Sequence, residues 1–165
     1  MAFSKLSILK TFFYVLWWKC AFFNLLGQPM KLSTRSRYGV RLMAALACAY
    51  GNKPVFLKNI ASSEEISEKY LSLIVISLRT AGLVKSRRGA RGGYSLAKNP
   101  EEISLRNIIE ALEGEIVLVE CIKNNSFCHR SSTCPTRNIW SALGNKISDT
   151  LNNITLAQLI QSKTE

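Results

Sequence analysis

The sequence lacks the residues from which most catalytic sites are built. It has one histidine, His129, and its 11 acidic residues include no pair placed to converge on a substrate. It also has no glycine-rich phosphate loop followed by a helix. We therefore predict that the protein is not an enzyme and has no small-molecule substrate.

Acidic residues are absent from the start of the chain, and the first is Glu64. Over 165 residues, 22 Lys and Arg face 11 Asp and Glu, which gives a net charge of +11. A chain this basic is suited to a polyanionic partner. We expect double-stranded DNA, and an anionic membrane surface is the weaker alternative.

Residues 1–29 differ in composition from the rest. Phe, Leu and Trp dominate between Leu6 and Leu26, and the charged residues Lys10 and Lys19 break the run. The run is long enough to span a bilayer, but no small-residue cleavage site follows it. We expect residues 1–29 to be an upstream extension with the biological start at Met30, the alternative being a membrane anchor. Without this segment, 19 Lys and Arg face 11 acids and the net charge is +8.

Helical periodicity dominates from residue 30 onward. It predicts helices over 34–49, 57–63 and 67–81, with Ser67 as the N-cap of the third. In the first helix the expected apolar face includes Val40, Met43 and Cys48, so Cys48 is predicted to be a small core residue. The third helix has the spacing of a packed stripe, formed by Leu71, Ile74, Val75 and Leu78. Two helices joined by a short turn predict a helix-turn-helix.

The period changes after Gly82. Residues 83–86 and 93–97 are expected to be two short strands, joined by a glycine-rich tip. This tip carries Arg87, Arg88 and Arg91 and no acidic residue. We predict that these arginines contact phosphates or the minor groove. The fold class is then mainly α with a small β-hairpin wing, in which residues 30–100 form a winged helix-turn-helix.

Residues 101–165 are expected to form a cysteine-loop and dimerisation region. A helix over 104–113 precedes the loop, and a long helix from about 135 to 151 follows it, before a short helix at 154–160. Ile139, Leu143, Ile147 and Leu151 recur every four residues along the long helix. So little core remains for this stripe that we expect a second subunit to cover it, in a homodimer.

Three cysteines lie in the polar segment between these helices, at Cys121, Cys128 and Cys134. Thiolates are the ligands that zinc, copper(I) and iron–sulfur clusters prefer. The spacing does not fit a four-thiolate zinc site, so one coordination position must be supplied from elsewhere. A redox disulfide or inert thiols are the alternatives. The odd number of cysteines argues against a secreted disulfide framework and favours a cytoplasmic protein.

The chain from Met30 to about Ile160 resembles the winged-helix regulators of the IscR type, a family that includes NsrR and CymR. The resemblance rests on these segments: Arg37-Tyr38-Gly-Val, Ile66-Ser67-x-x-Tyr70-Leu71, Leu78-Arg79-x-Ala-Gly82-Leu83-Val84, Arg88-Gly89-x-x-Gly92-Gly93-Tyr94-x-Leu96, and Leu151-Asn152-Asn153-Ile154-Thr155-Leu156. Residues 1–29 have no counterpart.

The resemblance implies a homodimeric transcription regulator whose operator affinity is controlled by an iron–sulfur cluster. By matching positions, DNA contacts are expected from the third helix and the wing, at Ser67, Lys69, Tyr70, Ser72 and Arg88. The cluster ligands are expected at Cys121, Cys128 and Cys134, with a two-iron cluster favoured over a four-iron one. Relatives often have Glu or Gln at the position of Ser72, so their operator sequences do not predict the operator of this protein.

Two positions depart from the family pattern. Arg137 stands where IscR-type proteins place a histidine ligand, and Arg37 stands where the nitric-oxide sensors can use an aspartate. The fourth ligand is therefore open between His129, Glu120, a solvent or small-thiol ligand, and a cysteine at position 48 from a partner subunit. A winged-helix regulator that senses thiol redox state or binds zinc, without a cluster, is the alternative function.

Overall fold

A helix-turn-helix followed by a two-stranded hairpin forms the first half of the described chain. The computed structural model describes residues 32–89 and 92–161. The expectations for residues 1–29 and for Arg91 therefore lie outside the described residues. Apart from Leu32, the described residues belong to one compact unit, Ser33–Glu165.

The helices and strands follow the predicted order. They are α1 (Thr34–Cys48), α2 (Leu57–Glu64), α3 (Glu68–Thr80), β1 (Val84–Arg87), β2 (Gly93–Leu96), α4 (Leu105–Glu113), α5 (Glu120–Lys123), α6 (Arg137–Asn153) and α7 (Leu156–Gln161). Two 3-10 turns, Pro100–Glu102 and Asn125–Phe127, lie between them. The predicted fold class, mainly helical with a small hairpin wing, is confirmed.

Helix α1 lies at the centre of the fold and contacts α3, α4 and α7. Its buried face includes Leu42, Leu46 and the predicted Met43. The predicted Val40 is half-buried at the edge of the core, and Cys48 lies on the far side. The two leucines bury more apolar surface than Val and Cys could, so they determine which side faces the core. Cys48 is exposed at the end of the helix, and the prediction that it is a core residue is wrong.

The turn between α2 and α3 begins at Glu65, whose left-handed backbone (φ 54°) ends α2. Helix α3 then starts after Ser67 and buries the predicted stripe of Leu71, Ile74, Val75 and Leu78. Because that stripe covers one side of α3 only, the opposite side is left to solvent.

The hairpin pairs Val84 with Leu96 and Arg87 with Gly93 in antiparallel register. A third segment joins it, because Val55 and Tyr94 exchange two main-chain hydrogen bonds of 2.9 and 2.8 Å. A Cβ at Gly93 would lie 2.6 Å from the carbonyl oxygen of Val55, so this close pairing needs glycine there. Strand β2 is thereby anchored at Tyr94 to the segment preceding α2.

The chain after the cysteine loop returns to the core. Leu105 N–H donates to Ile154 O at 2.9 Å, and Leu156 N–H donates to Ile103 O at 2.8 Å. Leu156 is fully buried in the same hydrophobic core as α1 and α3. At the start of α4, Ser104 accepts a hydrogen bond from Asn107 N–H and forms the predicted cap. Both ends of the cysteine-loop region are thus held at one place.

The membrane question concerns residues outside the described part. Within residues 32–89 and 92–161, every helix is too short or too polar to cross a bilayer.

Candidate DNA interface and cysteine loop

The residues predicted to contact DNA lie at the start of α3. Ser67 and Lys69 are exposed, while Tyr70 and Ser72 are half-buried. The Tyr70 ring packs edge-on against Tyr38 of α1, with centroids 5.8 Å apart. Tyr70 therefore fixes the helix against its neighbour as well as bordering the exposed surface.

Arginines of α1 surround the same edge of the fold. Arg35 donates to the Ser77 hydroxyl of α3 at 2.6 Å. The guanidinium groups of Arg37 and Arg41 lie 6.0 and 5.8 Å from the centre of the Tyr38 ring. Arg41 also forms a 2.8 Å ion pair with Glu64, so its charge is already partnered.

The cations of α3 and the wing differ from Arg41. Lys69, Arg79, Arg87 and Arg88 are all exposed, and none takes part in an ion pair within the described residues. Exposed, unpaired cations on neighbouring elements are suited to phosphates, because each contact releases a counterion from DNA. Both α3 and the hairpin therefore offer exposed, unpaired cations.

The three loop cysteines are free thiols and half-buried. Cys121 lies within α5, so the segment predicted as an irregular loop begins with a short helical turn. Cys128 follows the second 3-10 turn, and Cys134 precedes α6. The structure does not gather three His, Cys, Asp or Glu side chains, among the described residues, into a group able to hold a metal ion. The donor types fit a soft metal centre, but this conformation does not bring them to one point.

Cys134 has the environment of an acidic thiol. The Thr136 hydroxyl, 3.3 Å away, and the N–H groups of Thr136 and Arg137 hydrogen-bond its sulfur, and Arg130 adds a positive charge. These interactions lower the pKa of Cys134, with the Thr136 hydrogen bond as the largest cause. The thiolate is the form that binds metals and attacks disulfides. The surroundings of Cys134 therefore favour its thiolate form.

Arg137, the first residue of α6, holds the loop together. Its guanidinium donates to the Ser131 carbonyl at 3.1 Å, to the Ser131 hydroxyl and to the Asn125 side chain, with a longer contact of 3.5 Å to Ile122 O. The position had been singled out in the sequence only as the replacement of a histidine ligand. Its role as a donor was missed, because its acceptors are small polar residues and main-chain carbonyls that show no periodic pattern.

The two fourth-ligand candidates within the loop lie in different places. His129 is exposed and lines a polar cavity with Cys128, Ser131 and Arg137. Glu120 is exposed at the first position of α5. Neither is placed with the cysteines as a ligand group in this conformation.

Helix α6 exposes an apolar surface. None of its residues is buried; Ile139 is 62% exposed and Leu143 is 42% exposed, while Ile147 and Leu151 are half-buried. A repeat of four residues rotates by about 40° per step around a helix, so the stripe passes from the outer side toward the core. The Ile139 and Leu143 side of α6 is therefore left uncovered by the described residues of this subunit.

A helix-turn-helix with an arginine-bearing wing, joined to a long helix with an uncovered apolar surface, defines a winged-helix transcriptional regulator. The chain belongs to the Rrf2 family, described as "Iron-dependent Transcriptional regulator", whose profile matches residues 32–162. The resemblance to IscR-type regulators and the prediction of a regulator rather than an enzyme are thereby confirmed.

Individual relatives agree with this assignment. The chain is 42% identical to "Protein rrf2" of Nitratidesulfovibrio vulgaris over 132 residues, covering 80% of this chain and 88% of the relative. It is 40% identical to the regulator CymR of Bacillus subtilis (79% and 89% covered) and 37% identical to IscR of Pectobacterium atrosepticum (81% of each).

Solved structures give the same picture. The structure of CymR from B. subtilis superposes with a TM-score of 0.68 at 38% identity, covering 81% of this chain and 98% of that one. The structure of T. potens IscR superposes with a TM-score of 0.67 at 38% identity, covering 82% and 89%. The chain is thus similar to both regulators to a comparable degree.

Proposed function

We propose that this cytoplasmic protein binds a near-palindromic DNA operator as a homodimer, and that ligation of its cysteine loop by an iron–sulfur cluster controls operator affinity. One observation carries the proposal. Three half-buried free thiols lie in the segment that leads directly into α6, the helix with the uncovered apolar surface. Any ligand of this segment would act on the subunit interface and, through it, on the spacing of two DNA-binding surfaces.

The DNA-binding part is supported by the unpaired cations of α3 and the wing. With α3 in the major groove, Ser67, Lys69, Tyr70 and Ser72 lie at its leading end, and the wing carries Arg87 and Arg88. The sequence prediction adds Arg91 to these contacts. A two-fold dimer would place two such helices about one DNA turn apart or a multiple of it. The expected signature is a steep fall of affinity with salt, and a loss of about 1–3 kcal/mol in Arg88→Ala if that side chain enters a groove.

The cluster part is supported by the donor chemistry of the loop. Cys121, Cys128 and Cys134 would hold the cluster, which would supply a centre sensitive to oxygen, nitric oxide or iron–sulfur status. The guanidinium of Arg137 is a donor without an acceptor and is engaged with Asn125 and Ser131, so it is not a ligand. The fourth ligand would come from His129, Glu120 or a small molecule. A two-iron cluster is our first expectation.

A switch of this kind obeys a thermodynamic condition. A ligand shifts a conformational equilibrium only by its difference in affinity for the two states. The described conformation does not gather the thiols, so a metal-bound loop would have to take another path from α5 to α6. Reciprocity then requires DNA to change the affinity of the loop for its ligand by the same factor.

A second function is favoured by the lowered pKa of Cys134. An acidic thiol with two neighbouring cysteines in the same loop is suited to oxidation and disulfide formation. In this alternative, oxidation of the loop thiols changes operator affinity and no cluster is involved. A further variant of this alternative is that the same thiols bind zinc instead of an iron–sulfur cluster.

The test is anaerobic purification followed by iron, sulfide and zinc analysis and an operator titration. Wild type and the Cys→Ala variants at 121, 128 and 134 would be compared with Cys48→Ala, whose exposed thiol lies outside the loop. The cluster proposal predicts stoichiometric iron and sulfide in wild type and loss of most iron in each loop variant. Cys48→Ala should keep its iron unless position 48 supplies the fourth ligand. Oxidant-dependent binding without iron would support the thiol alternative. Equal DNA binding by all proteins, with and without iron or oxidant, would show that the loop is not a switch.

A further inference from the structure

Two large aliphatic side chains are exposed on α3. Leu73 is 58% exposed and Ile76 is 51% exposed, on a helix whose opposite side is fully buried. At about 100° per residue, both point away from the stripe of Leu71, Ile74 and Val75. They lie between Lys69 and Thr80 on the same outward line. Leu73 and Ile76 therefore lie in the middle of the exposed side of α3 and not at the edge of the core.

The polar groups beside this pair are directed back onto the helix. The Ser72 hydroxyl donates to Lys69 O at 2.7 Å, and the Thr80 hydroxyl donates to Ile76 O at 3.0 Å. Neither hydroxyl is then available as a donor to a base. Asn, Gln, Asp and Glu, which recognise adenine or cytosine edges, are absent from α3 after Glu68. This side of α3 offers two apolar groups where a base-reading helix often offers amides or carboxylates.

The positive charges around Leu73 and Ile76 indicate which kind of partner binds this surface. Lys69 and Arg79 border the pair on α3, and Arg87 and Arg88 extend the basic surface onto the wing, all without ion pairs within the described residues. An apolar pair within an unpaired cationic surface is complementary to DNA, which offers phosphates around an apolar group in its major groove. That group is the C5-methyl of thymine, which aliphatic side chains contact directly.

We infer that Leu73 and Ile76 select thymine by contacting its C5-methyl groups in the major groove. The inference rests on the proposed DNA binding by α3 and adds the base that it prefers. Three residues advance a helix by about 4.5 Å, close to the base spacing of about 3.4 Å. The pair therefore addresses neighbouring base pairs, and the operator should contain two adjacent A·T pairs with their methyl groups toward α3 in each half-site.

The test begins with selection of binding sites from a random-sequence duplex library by the full chain. The selected duplex is then synthesised with thymine or with deoxyuridine, which lacks only the methyl group, at each A·T pair. We expect wild type to lose about fourfold in affinity for each contacted methyl removed, at two adjacent positions per half-site. Leu73→Ala and Ile76→Ala should each lose this discrimination at one position, and the double variant at both.

Matched controls separate base contact from general binding. Alanine is a strong helix former, so the variants should keep their circular dichroism and unfolding midpoint. Lys69→Ala should weaken thymine and uracil duplexes equally and lower the salt dependence by about one phosphate contact.

Each other outcome overturns the inference. Specific binding that ignores deoxyuridine would leave the regulator function intact and remove the methyl contact. Equal uracil sensitivity in wild type and the double variant would assign the effect to DNA deformability. A double variant that becomes monomeric while keeping its uracil sensitivity would make this surface a subunit contact. Failure of wild type to select any duplex would reject the proposed function as well.

Discussion

The winged-helix part and the segment from residue 114 to residue 155 are stabilised in opposite ways. Buried Leu, Ile, Val and Met side chains from α1–α4, the hairpin and Leu156 form one core. Between residues 114 and 155, Ser131 is the one buried residue, and its partner is Arg137. A segment held by a few polar contacts opens more readily than one held by a core. We therefore expect the cysteine loop and α6 to open more readily than the DNA-binding part, and the proposed ligand and second subunit to stabilise them.

The sharpest test of this comparison places the same substitution at a core and at an exposed position. Leu78→Ala should lower the free energy of unfolding by about 2–5 kcal/mol, because a buried leucine leaves a cavity. Leu73→Ala on the same helix should change it by less than about 0.5 kcal/mol. Urea titrations of both variants check this. Comparable losses would mean that the exposed side of α3 is also packed.

The next effect concerns assembly. Leu143→Lys should convert the dimer to monomer, since it places a charge in the apolar surface of α6. Asn145→Lys, at an exposed polar position on the same helix, is the matched control and should remain dimeric. Sedimentation at micromolar concentration decides the matter. A wild-type monomer under these conditions would remove the need for a covering subunit.

A smaller and local effect is expected at Arg137. Arg137→Ala should cost about 1–3 kcal/mol of local stability, because Ser131 and Asn125 lose their charged donor. Hydrogen exchange should accelerate over residues 122–134 and stay unchanged in α1 and α3. Arg137→Lys keeps the charge but not the planar fork, so it should restore only part of the protection. A uniform acceleration across the chain would show instead that the loop and the core unfold together.

The smallest effect concerns thiol reactivity. The pKa of Cys134 is lowered, so its thiolate should persist to lower pH than an ordinary cysteine allows. Alkylation near neutral pH should therefore modify Cys134 readily. Removal of the strongest interaction in Thr136→Val should raise the pKa and slow the reaction. Mass spectrometry of timed samples measures the alkylation rate at Cys134. Equal rates in wild type and Thr136→Val would contradict the environment described for Cys134.

Sequence periodicity predicted the parts of the molecule that local patterns determine. The stripe of α3, the hairpin and the cap at Ser104 follow from spacing and residue type within a few positions. Cys48 was assigned to the core because it shares a helical side with Val40, and the tertiary contacts of Leu42 and Leu46 reversed that choice. Neither the burial of Leu156 nor the contacts of Arg137 could be predicted, because each depends on residues that meet only after the chain has folded back. The assignment of Arg88 and of the three loop cysteines to DNA and ligand binding stays a prediction.

The return of the chain at Ile154–Leu156 to Ile103–Leu105 has a consequence for evolution. The segment that contains the cysteine loop starts and ends at the same place on the core. Its length can therefore change without moving the wing. Doubling a flexible loop adds only about 0.6 kcal/mol of closure entropy. Residues could therefore be inserted beside Phe127, which is exposed, at little cost to folding. A protein with a glycine-serine insertion there should keep its unfolding midpoint, and proteolysis of the insertion should leave two fragments that remain together. This attachment of both ends at one place would let one sensing loop replace another during evolution while the DNA-binding surface stays the same.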